Sequence, residues 1–192
     1  FFCHLIIFLV VRERIYLYYV GWILMTAGFV LSYNGIAFQY LWPEATAWND
    51  WSRIVFLLLA AGLFTSFTIQ FVSNAATVAR RWHWAPVLLA VALAMGASGL
   101  PFPQAVRMAF LVQFVAMVVC FGLALGKVRA GHAHVRVFLV TFSGVLIGAV
   151  LNTLDMLGIT ARFGGSIDFE VAPQVGSALA VLLFSAALAH RL

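Results

Sequence analysis

Apolar residues in this chain occur in blocks of about twenty, separated by short charged or turn-rich stretches. A helix needs roughly 20 residues to cross about 30 Å of hydrocarbon. The composition agrees, since 65% of the residues are hydrophobic and 9% are charged, whereas a soluble domain carries about 25% charged residues. The sequence therefore predicts an all-α, polytopic transmembrane bundle. Its net charge of +5 is read as a topology signal and not as a nucleic-acid site.

The blocks predict six complete membrane spans preceded by half of one. Residues 1–11 are apolar apart from His4 but cover only half a crossing, so we expect the tail of a truncated first helix. The complete spans are expected at residues 15–37, 54–71, 86–100, 105–126, 137–157 and 171–189. The predicted fold is thus a bundle of seven helices with the first one truncated. We expect residues 1–192 to form a single domain taken from the middle of a longer protein.

Basic residues predict the orientation of this bundle. One set of connections holds Arg12, Arg14, Arg80, Arg81, Lys127, Arg129, Arg136 and Arg191, and the other holds Arg53, Arg107 and Arg162. Basic residues are retained on the cytoplasmic side of membranes. The bias predicts an outer start for the chain and a cytoplasmic C-terminus.

The connections assigned to the outer face mix aromatic and charged side chains. Such a surface can recognise a ligand or a neighbouring domain, but tryptophans at this depth also anchor helices at the interface, and the sequence leaves both alternatives open. The recognition candidates are Trp42, Glu44, Trp48, Asp50, Trp51 and Arg162.

Two ionisable residues are expected inside spans, each about one turn from the outer end. Arg107 lies in the predicted fifth span and Asp155 in the sixth. Because these helices are antiparallel neighbours, both side chains reach a similar depth, and intramembrane charges usually have a partner. A signal-sensitive pair, a static ion pair and two residues that reach the headgroups separately are the alternatives.

The sequence predicts neither an enzyme nor a cofactor or metal site. His132 and His134 lack cysteine or acidic neighbours, and Ser143 has no histidine at similar depth on another complete span. Glycines four residues apart, at 122 and 126 and at 144 and 148, could join helices within the chain or in a homodimer. A transporter or channel remains the alternative function, although transporters tend to show two similar halves.

Three segments of the chain resemble a known family. They are RERIYLYY at residues 12–19, NGIAFQYLWP at residues 34–43, and QVGSAL at residues 174–179 with LAHR at residues 188–191. These segments are similar to those of the bacterial seven-transmembrane receptors with diverse intracellular signalling modules. Ala180 and His190 depart from the family pattern, in which Glu and Asp are common, so the roles of those carboxylates are not carried over.

The resemblance implies a receptor in the bacterial inner membrane, in contact with the lipid bilayer. It also implies a periplasmic sensory domain before the first helix and a cytoplasmic output module after the last. Diguanylate cyclases and histidine kinases are typical output modules of such receptors. The expected function is therefore the relay of a periplasmic signal to an enzymatic domain of the same protein.

Overall fold

The computed structural model describes residues 14–72, 84–131, 135–136, 138–140, 142–144, 146–147 and 150. Five complete helices lie among them: α1 (Arg14–Tyr33), α2 (Ile36–Tyr40), α3 (Thr46–Val72), α4 (Ala85–Ala97) and α5 (Phe102–Arg129). The described residues from 135 to 150 are helical as well. The chain forms two compact units, Phe1–Ala116 and Met117–Leu192, with the boundary inside α5.

Three helices in the described part of the chain are long and apolar enough to cross a membrane. They are Ile15–Tyr33, Thr46–Val72 and Phe102–Arg129, while α4 is apolar but has only 13 residues. These four helices lie at the predicted second to fifth spans, which confirms the all-α class, and three of them are candidate membrane spans. The truncated first helix, the seventh helix and the end of the sixth lie outside the described residues. The count of seven stays a prediction.

Two helix boundaries differ from those read from hydropathy. α1 ends at Tyr33, because Gly35 has a left-handed φ of 74° that a continuous helix does not allow. α3 begins at Thr46 and not near residue 54. Its first two turns carry Asp50 and Arg53, and a helix of 27 residues, about 40 Å long, extends beyond the hydrocarbon into a polar layer.

Helices α1 and α3 pack antiparallel in the first unit. The rings of Trp22 and Phe64 lie 5.1 Å apart near the middle of α1. Towards the C-terminal end of α1, Gly28 faces Phe56, and a Cβ atom at Gly28 would lie 3.2 Å from that ring. The missing side chain therefore lets the aromatic ring of α3 lie close to the backbone of α1.

The other side of α3 packs against α4 and the start of α5. A Cβ atom at Gly62 would lie 2.8 Å from both the Pro86 carbonyl oxygen and the Ala90 Cβ. A buried cluster continues this contact with Ile54, Leu57, Leu58, Ala97, Ala105 and Ala109. Small residues thus allow close helix approach, as is common in membranes. Helix α3 is the centre of the first unit.

The second unit contains the later half of α5 and the helical residues that follow it. Phe142 lies 6.1 Å from Phe121 of α5 and 5.8 Å from Phe138, measured between ring centroids. Lys127 and Arg129 occupy the last turn of α5, where cations interact favourably with the helix dipole.

Candidate functional site

The candidate site lies where α1 ends, α2 and the loop at residues 41–45 follow, and α3 begins; we call this the α2 end. Ala37 of α2 is fully buried and accepts backbone hydrogen bonds from Leu41 (2.9 Å) and Trp42 (3.2 Å). The N–H of Ala45 donates to the Trp42 carbonyl at 3.1 Å. These bonds fold the loop back, so that Trp42 lies against α3.

Three aromatic rings meet beneath this loop. The ring of Trp42 lies 6.2 Å from Trp48 and 6.5 Å from Phe56, and Trp48 and Phe56 are also 6.5 Å apart. Trp48 remains 42% exposed, whereas Trp42 is half-buried. The structure therefore brings two recognition candidates into contact but presents mainly Trp48 to the surroundings.

Trp51 has a different environment although it is close in sequence. Its ring meets Phe102 of α5 edge-on at 6.3 Å, with an interplanar angle of 85°. It also packs against the buried cluster around Ile54. The contacts of Trp51 are those of a packing residue within the first unit.

The charged candidates are exposed. Glu44 and Asp50 both lie on the surface, and Asp50 forms an ion pair with an Nη atom of Arg53 at 3.6 Å. An exposed pair of this kind contributes at most about 1 kcal/mol to stability. Arg107 is exposed on α5. Asp155 and Arg162 lie outside the described residues, so the proposed Arg107–Asp155 pair stays a prediction.

Four polar side-chain atoms at the α2 end are buried without a hydrogen-bond partner among the described residues. They are the Ser32 Oγ, Trp42 Nε1, Asn49 Oδ1 and Arg53 Nε atoms. Of these residues only Trp42 was a candidate from the sequence. Asn49, Arg53 and Phe56 have the spacing of one helix face, but that signal exists only once α3 is known to begin at Thr46.

The glycine pairs and the possible metal ligands were the other features considered in the sequence. Gly122 and Gly126 are exposed, and a Cβ atom at either would meet nothing within 4 Å. That face is open, and a homodimer through it stays a prediction. Within the described ranges, no group of three or more His, Cys, Asp and Glu side chains could hold a metal ion.

The chain as a whole matches one family, described as 7TM diverse intracellular signalling, over residues 1–191. It belongs to this family. The resemblance carried by the segments at residues 12–19, 34–43 and 174–191 is confirmed. A 7TM diverse intracellular signalling domain is a transmembrane sensory domain of signalling receptors and is not catalytic. No curated protein and no solved structure matches the chain.

Proposed function

We propose that this domain relays a stimulus received at its α2 end to an output module that follows it in the cytoplasm. The module would be an enzyme such as a diguanylate cyclase or a histidine kinase. The basic-residue bias supports a periplasmic position for the α2 end, in a bacterial inner membrane. Membership of a family of signalling domains supports the relay itself.

The position of α3 is the observation that carries this proposal. Its first turns hold the exposed Trp48, and its last turns hold Phe67, whose ring lies 5.5 Å from Tyr19 near the start of α1. A helix is stiff, so a shift of 1–2 Å at one end reaches the other end. The close contacts at Gly28 and Gly62 would convert such a shift into a change of packing.

A relay requires two states that differ in free energy of interaction with the stimulus. Trp48 contacts both Trp42 and Phe56, and an aromatic pair contributes about 0.5–1.5 kcal/mol beyond its buried area. Loss of the Trp48 ring should therefore change the balance of states by severalfold even without stimulus.

The test is the basal output of the full-length receptor in native membranes. Trp48→Leu should change the specific activity of the output module about threefold or more in either direction. The matched control is Leu89→Ala on α4, which alters a side chain that is 61% exposed and away from the α2 end. Receptor amounts are equalised by immunoblot. Output that is unchanged in a correctly inserted Trp48→Leu receptor would contradict the role of the α2 end.

A further inference from the structure

Helix α4 has an exposed apolar face but is shorter than a membrane crossing. Leu88, Leu89, Val91 and Met95 are 66%, 61%, 41% and 72% exposed, and we call these four residues the α4 face. The helix has 13 residues, none of them charged. Its length is about 20 Å, whereas the hydrocarbon layer of a typical bilayer is about 30 Å thick. About 10 Å of that thickness therefore has no apolar counterpart on α4.

Contacts with the neighbouring helices show that α4 stops short of them at both ends. At one end, the ring of Trp84 meets Tyr18 edge-on at 5.2 Å, one turn after α1 begins at Arg14. α4 does not continue through Trp84, which forms a bend. At the α2 end, Ala97 shares a buried cluster with Ile54, and α3 extends about 12 Å beyond that residue.

The first turns of α5 carry polar side chains to the depth at which α4 ends. Gln104 and Arg107 are exposed, and together with the exposed Leu111 and Val115 they have the spacing of one helix face. This face changes from polar to apolar between Arg107 and Leu111. Ala105 belongs to the same buried cluster as the end of α4, so Arg107 lies about 3 Å deeper in the membrane than that end. An exposed arginine at this depth requires contact with headgroups or water.

A short apolar helix is accommodated by thinning of the bilayer, by flanking side chains that reach the headgroups, or by association with another copy. Helices that associate in membranes use small residues at the contact. The buried small residues of α4, Ala90 and Ala97, are on the side packed within the chain, whereas the α4 face carries leucine, valine and methionine. Association through this face is therefore disfavoured, and the exposed Arg107 favours thinning.

We propose that phospholipids cover the α4 face and that their hydrocarbon layer is thinned there to about 20 Å, with headgroups drawn down to Arg107. The inference concerns contact with lipid alone. It depends neither on the relay nor on which end of the bundle is periplasmic.

Helix α1 provides a matched control in the same protein. Leu17, Leu24 and Leu31 are 40%, 46% and 36% exposed and lie seven residues apart, on one side of the helix. α1 has 20 residues, so its length of about 30 Å matches an unperturbed hydrocarbon layer. The bilayer at this side of α1, the α1 face, should have its normal thickness.

The experiment measures the depth of nitroxide labels in the full-length protein, reconstituted in vesicles of phosphatidylcholine and phosphatidylglycerol with oleoyl chains. The native cysteines, Cys3 and Cys120 among them, are first replaced by alanine. Collision rates with oxygen and with a nickel chelate then give the depth of each label below the edge of the hydrocarbon. Single labels are attached at two positions of each face, through Leu88→Cys, Met95→Cys, Leu17→Cys and Leu31→Cys.

The local thickness is the sum of the two depths at a face and the distance between the two labels along the helix. That distance is about 10 Å from Leu88 to Met95 and about 21 Å from Leu17 to Leu31. We expect a thickness of about 20 Å at the α4 face and about 30 Å at the α1 face.

Arg107 provides a second test of the same inference. Arg107→Leu should move the label at Met95 deeper by about 3 Å or more, because hydrocarbon can then extend along α5 beyond the level at which α4 ends. Arg107→Lys is the control and should leave that depth unchanged, since lysine also reaches the headgroups.

Thicknesses that agree within about 3 Å at the two faces would overturn the inference. So would labels on α4 that oxygen dissolved in the lipid does not reach, because protein would then cover the α4 face. An unchanged depth in Arg107→Leu would refute the role of Arg107 in drawing the headgroups down. Should Arg107→Leu not fold, the comparison of the two faces decides the question, because it leaves Arg107 in place.

Discussion

The absence of a side chain at Gly62 allows α3 and α4 to pack closely. A Cβ atom there would lie 2.8 Å from the Pro86 carbonyl oxygen and 3.1 Å from the Val87 Cα, both backbone atoms of α4. Backbone cannot move aside as a side chain can, so the helices themselves must separate. The Ser66 hydroxyl donates to the Gly62 carbonyl at 3.0 Å within α3.

We predict that Gly62→Ala lowers the free energy of unfolding by about 1–3 kcal/mol, the usual cost of overpacking. The opposing gain from replacing a helical glycine is only about 0.5–1 kcal/mol. Unfolding by sodium dodecyl sulfate in mixed micelles measures the difference. Gly96→Ala in α4 is the control, because a Cβ atom there meets nothing within 4 Å. Equal stability of the two variants would show that α3 and α4 are not in close contact at Gly62.

The three tryptophans at the α2 end show which part of the site the sequence could predict. Residue type and depth made Trp42, Trp48 and Trp51 candidates either for recognition or for anchoring at the membrane interface. The direction in which each tryptophan side chain points depends on where α3 begins. With α3 beginning at Thr46, Trp48 is exposed and Trp51 contacts Phe102. Hydropathy began this span at residue 54, so the first turns of α3 were not predicted as helix and the side-chain directions within them could not be predicted.

At the scale of elements, apolar length predicted the helices well and their ends poorly. The interiors of α1, α3, α4 and α5 coincide with predicted spans because burying them in hydrocarbon dominates their free energy. The ends respond to smaller effects. Pro103 lies within the first turn of α5, where its missing N–H is not needed, so α5 begins at Phe102 and not at residue 105 as hydropathy predicted.

The break between α1 and α2 depends on Gly35. Its φ of 74° is left-handed, and nothing lies within 4 Å of the position of a Cβ atom, so conformation alone penalises a side chain. We predict that Gly35→Ala lowers the free energy of unfolding by about 1–2 kcal/mol. Gly35→Asn should cost less, because asparagine tolerates this conformation. The same detergent titration compares them. If alanine is tolerated as well as asparagine, the left-handed turn is not required.

At the scale of the whole molecule, family membership and helix class follow from different information. Apolar blocks identify a membrane bundle of any function, whereas the short segments at residues 34–43 and 174–179 pointed to one family, which the match over residues 1–191 confirms. Neither source identifies the stimulus, because recognition depends on the surfaces of a few exposed residues. Trp48, Glu44 and Asp50 are exposed at the α2 end and stay candidates for that role.

The orientation in the membrane is a property of the whole molecule. The structure shows which helix ends lie on the same side, so that only two orientations remain to be distinguished. α1 and α3 are antiparallel, as the contacts Trp22–Phe64 and Gly28–Phe56 require, so Ala45 and Val72 lie at opposite ends. Ala97 shares a buried cluster with Ile54 near the start of α3, which places the turn after α4 at the α2 end. Only the basic-residue bias then decides which end faces the periplasm.

We predict that alkaline phosphatase, which is active only in the periplasm, will be active when fused after Ala45 or Leu100 and silent when fused after Val72. Green fluorescent protein at the same points should give the reverse pattern, and immunoblots control for expression. The reversed result at all three points would keep the packing but overturn the orientation, and with it the periplasmic position of the α2 end. Activity that differs between Ala45 and Leu100 would instead contradict the antiparallel packing of α3 and α4.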